Sequence, residues 1–333
     1  MSNTPPNSAA AAPGLSAAEA YRKVSSPYGF SMYDVEATAA IEKASRHAQE
    51  IVRAHGFERI MPAMVDFPET FSEGTHAQMF TVKDNSGERL ALRNDITSQV
   101  IKGYVRQIRE KTGQNLRRFF YAAPVYKDVR KNYPLPREIY QIGCEVVGEN
   151  ASAELGHLIQ ISDEILKKVF SLQAVTQVTD VSLHNAFLAI GGGAFSEAES
   201  RRDAPHFSTL LTEKFGVAAA SATELALWLL YPQENGNAPA SSAQLPESIR
   251  AALKTSESAA GAIVAEAAKR DIRTFWQPLA EPRSSYYSGV FFETYVAGFT
   301  DPIARGGEYH ELVKRYAPVD AEACGFALDL LAI

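Results

Sequence analysis

Strand-forming segments lie on both sides of a long helical stretch in this chain, and that order constrains the fold more than any other feature. On the amino-terminal side, RRFFYAAPVY and EIYQIGCEVVG read as two strands joined by a charged, proline-bearing loop, KDVRKNYPLPR. On the carboxy-terminal side, YYSGVFFETYV, PIARGGEYHELV and CGFALDLLAI read as strands again. From about residue 186 to 268 the chain is rich in Ala and Ser and helical, with a polar gap at QENGNAPASSAQLPES. Strands before and after a helical insertion imply an α+β domain with a mainly antiparallel sheet flanked by helices. The domain is expected over 26–333, interrupted by an insertion at 186–268.

The amino-terminal third supplies the flanking helices. Ala37, Ile41, Ala44, Ala48 and Ile51 recur at helical spacing with charged residues between them, and Gly56 ends the helix. In FERIMPAMVDF, Pro62 interrupts an apolar run, which predicts an edge or interface strand. Residues 78–92 read as a hairpin around Asp84–Gly87, and Asp95 starts a helix striped by Ile96, Val100, Tyr104 and Ile108. Leu155, Leu158, Ile159, Ile165, Leu166 and Val169 form another amphipathic helix. The first 25 residues, opening MSNTPPNSAAAAPG, lack the basic and long apolar regions of a signal peptide and read as a disordered tail.

Composition narrows the function classes. Of 333 residues, 46% are hydrophobic, enough for a substantial core. The net charge of -6 argues weakly against a dedicated nucleic-acid binder. No apolar run approaches the ~18 residues of a membrane helix. Cys144 and Cys324 sit among apolar neighbours and read as buried thiols of a cytoplasmic protein. Without a CxxC or HExxH pattern or histidines paired at ligand spacing, neither a metal nor a cofactor is expected. The run Gly191–Gly193 lacks the Lys-Ser/Thr ending of a phosphate loop and reads as a joint into the helical stretch.

The most informative segment is Gln141-Ile142-Gly143-Cys144-Glu145. Alternate strand residues share a face, so Ile142, Cys144 and Val146 point to a core while Gln141, Gly143 and Glu145 point away. Two polar side chains around a residue with none make a small hydrogen-bonding hollow, suited to an amine or an imidazole. An ordinary solvated face with a glycine kink would give the same alternation. In Tyr286–Glu293, read as a strand, Tyr287, Gly289 and Phe291 share a face, and a tyrosine hydroxyl beside a glycine gap could read a polar ligand. Lys127, Arg130, Lys131 and Arg137 cluster around one loop, as a solvated hairpin tip or a subunit contact.

Taken in order, GFERIMP, LRND, APVYKDVRKNYPLPREIYQIGCEVVG, YYSGVFFE, ARGGEYHELV and CGFAL resemble the catalytic domain of class II histidyl-tRNA synthetases, over roughly 28–333. QIGCE matches the family's QxGxE, and Gly56–Pro62 resembles its dimer-forming first motif. The resemblance implies a histidine pocket made by Asp95, Gln141, Glu145, Tyr286 and Tyr287, with Glu145 and Tyr287 toward the imidazole and Asp95 and Gln141 toward the α-amino group. Asp95 stands where the family carries a glutamate.

The departures fall on the ATP side. Lys127 and Val129 replace the arginine and glutamate of the second motif, and lysine lacks arginine's planar fork. Pro282 takes the place of the histidine loop's arginine, with Arg283 beside it. Ala332 stands where the third motif carries its arginine. Phosphoryl chemistry needs such donors, and removing one typically costs ~2.7–4 kcal/mol of transition-state stabilisation. The chain also ends directly after the third motif, so no anticodon-binding domain, and no tRNA, is expected. Such a domain resembles the regulatory subunit of ATP phosphoribosyltransferase. That family implies no catalysis of its own, a short-form catalytic subunit as partner, feedback by free histidine, a synthetase-like dimer and a hetero-octamer. A diverged synthetase that still activates an amino acid and a free-standing histidine sensor remain as alternatives.

Overall fold

The computed structural model describes residues 25–71, 79–110, 116–129, 136–233, 238–318 and 321–331. The tail and Ala332 lie outside these residues, as do Arg130 and Lys131 of the basic cluster.

The first element of the described residues is α1 (Val35–Ala54), whose first turn is capped by Asp34 accepting from the Ala37 N–H at 2.8 Å. Gly56, at φ 83°, turns the chain into the short β1 (Glu58–Arg59). A three-stranded sheet follows from β2 (Val65–Asp66), β3 (Thr81–Lys83) and β4 (Arg89–Leu92), in the order β2-β4-β3. Next come α2 (Thr97–Glu110), β5 (Arg117–Tyr126), β6 (Glu138–Gly148), α3 (Leu155–Phe170) and β7 (Ala174–Asp180). A block of helices then runs through α4 (Val181–Gly191), α5 (Gly193–Ser200), α6 (Ala204–Phe215), α7 (Ala219–Leu230) and α8 (Glu247–Ala268). The chain closes with β8 (Thr274–Trp276), β9 (Val290–Val296), β10 (Ala304–Glu308), α9 (His310–Tyr316) and β11 (Glu322–Asp329).

The large sheet has the order β1-β5-β6-β11-β10-β9-β7-β8. Only its outermost pairs, β1 with β5 and β7 with β8, run parallel. Alternation on the strands sorts side chains into two layers. Ile142, Cys144 and Val146 join Ala48 and Val52 of α1 and Leu155, Leu158 and Ile159 of α3 in the larger core. On the opposite face, Tyr121, Val147 and Tyr309 pack with Ile96, with Val100 and Ile101 of α2 and with Leu312 and Val313 of α9. Both cysteines are buried free thiols. No helix among the described residues is long and apolar enough to cross a membrane.

Three sequence expectations change. Tyr286 and Tyr287 lie in a turn, and the strand starts at Val290. The segment PIARGGEYHELV is a strand only over Ala304–Glu308 and then becomes α9. The helical block begins at Val181, capped by Asp180 accepting from the Ser182 N–H at 2.8 Å. Two main-chain hydrogen bonds tie that block to the loop leading into β9, beside the Gln277 side-chain amide, which donates to the Leu229 carbonyl at 3.1 Å. The Val181 N–H donates to the Gly289 carbonyl at 3.2 Å, and the Leu279 N–H donates to the Leu229 carbonyl at 3.0 Å.

Candidate functional site

The register of the central strands builds a groove on the α2/α9 face. One row across the sheet reads Phe119, Glu145, Gly325, Gly307, Phe291. The next reads Tyr121, Gly143, Ala327, Arg305, Glu293. Gln141 lies one row further, between Ala123 and Asp329. Glycine or alanine occupies most of the middle positions, and larger side chains lie flat over them. A Cβ at Gly143 would run into the Tyr121 ring and hydroxyl, and one at Gly325 into the Glu145 carboxyl. A Cβ at Gly307 would come within 2.7 Å of the Tyr287 ring.

Tyr287 stacks on Phe291 with ring centroids 5.8 Å apart, and Tyr286 meets Tyr287 and Tyr309 edge to face at 5.1 and 5.8 Å. The function expected of Gly289 therefore moves to another glycine. Gly289 makes room for Glu308 on the opposite face, and Gly307 makes the space for Tyr287.

Glu145 is the chemical centre of this groove and is almost wholly buried. Thr97 donates its hydroxyl to Oε1 at 2.7 Å, and Tyr309 donates its hydroxyl to Oε2. Burial pushes the Glu145 carboxyl up to about 8, against the lowering effect of the Tyr309 and Thr97 hydrogen bonds. Burial thus favours the protonated form of this carboxyl, and a donor or a positive charge brought to it favours the ionised one. Burial, reinforced by the charge of Glu145, also raises Tyr121, Tyr287 and Tyr309 above the usual phenol range. Tyr286 is raised by burial and then by Asp95. The cluster thus presents protonated hydroxyls around the Glu145 carboxyl.

Asp95 reaches the groove electrostatically, since its charge raises Glu145, Tyr121 and Tyr286. Its oxygens also cap α2, accepting the Thr97 N–H at 3.1 Å and the Ser98 N–H at 3.0 Å. The carboxylate is therefore held in place by the backbone before any ligand arrives. Lys127, just past β5, is desolvated, which lowers its pKa together with the charge of Arg305. Arg283 lies elsewhere, ion-paired to Glu293 at 3.0 Å and Asp301 at 3.1 Å. It is thus ion-paired to two acids, on the loop it shares with Pro282. At Val129 the only polar group is the backbone, whose N–H bonds the Lys127 carbonyl at 3.0 Å. Arg137 pairs with Asp128 and lies over the Phe80 ring, 4.4 Å from its centroid.

The groove thus gathers Asp95, Glu145, Tyr286, Tyr287 and Lys127, with Gln141 at its margin. Sequence reasoning missed Thr97, Tyr121, Tyr309 and Arg305. Tyr121 could have been found by pairing RRFFYAAPVY with the QIGCE strand. Tyr309 stands two residues after Gly307 in the GGEYHEL motif that had already been singled out. Among the described residues, no group of three or more His, Cys, Asp or Glu side chains is placed to hold a metal ion.

Comparison with known proteins places this geometry. The family model for histidyl-tRNA synthetase matches residues 29–333. An ATP phosphoribosyltransferase regulatory subunit of Anaeromyxobacter sp. (strain Fw109-5) is 28% identical over 305 residues, 88% of this chain and 87% of the relative. One from Burkholderia pseudomallei (strain 668) is 29% identical over 308 residues, 88% of this chain and 77% of the relative. Among solved structures, an ATP phosphoribosyltransferase regulatory subunit/histidyl-tRNA synthetase from Bacillus halodurans superposes with a TM-score of 0.76 at 17% identity, over 93% of this chain and 82% of that one. A histidine–tRNA ligase subunit from Alicyclobacillus acidocaldarius gives 0.72 at 21% identity, over 92% and 95%. These structures share the class II synthetase fold. With the family model spanning nearly the whole described chain and its histidine-pocket motif standing at the floor of the groove, this chain belongs to the histidyl-tRNA synthetase family.

Proposed function

We propose that this protein is a regulatory subunit of ATP phosphoribosyltransferase, activating a short-form catalytic subunit and conveying feedback by free histidine without chemistry of its own. The observation that carries the reading is the asymmetry of the groove. Around Glu145, hydroxyls from Thr97 and Tyr309 are in place, and glycines beneath let the tyrosines and the carboxyl lie close to the sheet. On the ATP side, Lys127, Val129 and Pro282 replace the groups that phosphoryl transfer needs, and Arg283 is held by Glu293 and Asp301. The names of the relatives from Anaeromyxobacter and Burkholderia point the same way.

A neutral imidazole offers one N–H and one lone pair, so a carboxyl and a tyrosine hydroxyl satisfy both. Occupancy alone would not inhibit. Feedback requires histidine to bind one state of the assembly more tightly than another. A synthetase-like dimer through the Gly56–Pro62 region, within a hetero-octamer of four regulatory and four catalytic chains, completes the reading, with the cytoplasm as its place.

The test is calorimetry on the isolated chain, followed by inhibition curves on the complex reconstituted with a short-form catalytic subunit. Glu145→Ala is expected to cost about 1.5–3 kcal/mol of histidine affinity, the range for a hydrogen bond to a charged group. It should keep activation yet move inhibition to higher histidine concentration. Unchanged affinity and an unmoved inhibition curve would refute the pocket. Histidine-dependent ATP–pyrophosphate exchange above a blank, sensitive to Lys127→Ala, would refute the absence of chemistry.

A further inference from the structure

Away from the groove, two histidines meet between two acids where α1 packs on α3. His55 ends α1, and His157 lies in the first turn of α3. The facing ring nitrogens, His55 Nδ1 and His157 Nε2, are 2.9 Å apart. The outer nitrogen of each ring meets an acid: His55 Nε2 lies 2.9 Å from Glu164 Oε2, and His157 Nδ1 lies 3.0 Å from Glu154 Oε2. A cation holds the far side of each acid. Lys168 donates to Glu164 Oε1 at 2.7 Å, and Arg118 of β5 donates to Glu154 Oε1 at 2.7 Å and to Oε2 at 3.2 Å. Phe57 packs on the His157 ring, with centroids 6.3 Å apart. The charged groups facing the two rings are therefore Glu164 and Lys168 from α3, Glu154 from the turn before it, and Arg118 from β5.

Counting hydrogens along this row fixes its charge. Each of the three links is at hydrogen-bond distance and needs one hydrogen. Glu154 is lowered first by its Arg118 bonds, and Glu164, against the effect of burial, by its Lys168 and His55 bonds. Both are thus carboxylates, which only accept, so the hydrogens come from the rings. Two neutral imidazoles bring two, one too few. A neutral imidazole and an imidazolium bring three and complete every link. Two imidazoliums bring four, and set two N–H groups head to head between the rings.

We infer that His55 and His157 are a proton-operated clamp, which binds one proton between the two rings and so fastens the end of α1 to α3. The clamped residue immediately precedes Gly56, where the chain turns into β1, so the same proton sets how firmly that turn is held. Unfolded, both imidazoles are protonated well below about pH 6.5 and neutral well above it. Folded, the pair holds one proton. On the acid side the unfolded chain binds more protons, and stability rises with pH. On the alkaline side the folded chain binds more, and stability falls as pH rises. The clamp's contribution therefore peaks near pH 6.5, roughly the ordinary imidazole value, and the two rings titrate as a pair.

The experiment uses the full chain, with Glu164→Gln and Glu154→Gln as variants. A glutamine at 164 donates its own amide N–H to His55 Nε2, so two neutral imidazoles then complete the row, and a glutamine at 154 does the same from the other end. Urea midpoints are measured from about pH 5 to about pH 9 and read as differences from wild type, in which other titrating groups cancel. Both variants should lose the alkaline fall, their slopes departing from wild type by up to about one proton. In histidine labelled with nitrogen-15, the wild-type rings should show nitrogen shifts between the neutral and charged values near pH 7 and move together. These rings are the signals that the two variants displace. A variant that is weaker by the same amount at every pH marks an ordinary salt bridge and overturns the clamp. Two rings that titrate independently, or that are both neutral near pH 7, overturn it as well, whether or not a variant folds.

Discussion

On one face of the large sheet, Ile142, Cys144 and Val146 of β6 are sealed under α1 and α3 together with Phe292 of β9 and Leu328 of β11. On the other, Gly143 and Glu145 of the same strand open into a groove walled by tyrosines. Each face also holds a carboxyl with a raised pKa, and the two are held differently. Glu308, on the sealed face, is held first by the Val290 backbone N–H at 3.1 Å, with the Ser152 side chain and the His310 Nε2 at 3.8 Å beside it, and burial lifts it to about 7. Glu145 is held by the hydroxyls of Thr97 and Tyr309. A backbone donor is fixed by the strand, whereas a hydroxyl hydrogen rotates to suit a new acceptor. The sealed face spends its polar group on the fold, and the groove keeps one whose partners can be re-aimed at a ligand.

The comparison breaks most easily through packing. Phe292→Ala on the sealed face should cost about 3–5 kcal/mol of stability, read from urea unfolding. The protein that remains folded should bind histidine as wild type does, because Phe292 points away from the groove. A large change in affinity without a matching loss of stability would mean that the faces are not separable.

Acid titration sharpens the difference between the two carboxyls. A folded-state value above the unfolded 4.5 means that the native protein holds the extra proton. The stabilisation is complete below pH 4.5 and is lost as pH rises, up to about 8 for Glu145 and about 7 for Glu308. Each group contributes a slope of at most ~1.4 kcal/mol per pH unit across its window. Glu145→Gln should flatten the stability profile up to about pH 8, and Glu308→Gln only up to about pH 7. Denaturant midpoints at a series of pH values measure this. Identical profiles for the two variants would remove the distinction.

The smallest effect tests the rotatable donors. Tyr287→Phe deletes a neutral hydroxyl while keeping the ring on Phe291, so histidine affinity should fall by only about 0.5–1.5 kcal/mol. Stability should be unchanged. A loss as large as that of Glu145→Ala would make Tyr287, not Glu145, the principal imidazole partner.

Much of this contrast was legible in the residues. The two strands around KDVRKNYPLPR have the limits their composition suggested, and alternation in QIGCE alone separates the sealed side chains from the groove side chains. What stayed hidden came from elements distant in sequence. Tyr309 belongs to no regular element and reaches Glu145 only because β11 lies beside β6 and β10 beside β11. Thr97 looked like an ordinary first-turn residue of a helix. Arg305 gained its meaning from cross-strand register, which one strand alone does not contain. The aromatic run around Tyr286 and Tyr287 carried strong strand propensity, yet packing of the two rings against Tyr309 and Phe291 holds them in a turn. The start of the helical block was marked by Asp180, a good cap residue, and the alanine-rich composition downstream drew attention from it.

The bonds between the helical block and the loop into β9 carry a consequence for genetics. Both the Val181–Gly289 and the Leu229–Leu279 bonds join main-chain atoms. Substituting side chains leaves every one of those main-chain donors and acceptors in place, so an alanine scan reads this route only at Gln277, whose side-chain amide donates to the Leu229 and Leu279 carbonyls. Proline at 181 or 279 deletes the donor itself, and an ester in place of either amide does so without altering the side chain. Alleles that uncouple the two regions will therefore be rare among ordinary missense changes, and concentrated in proline.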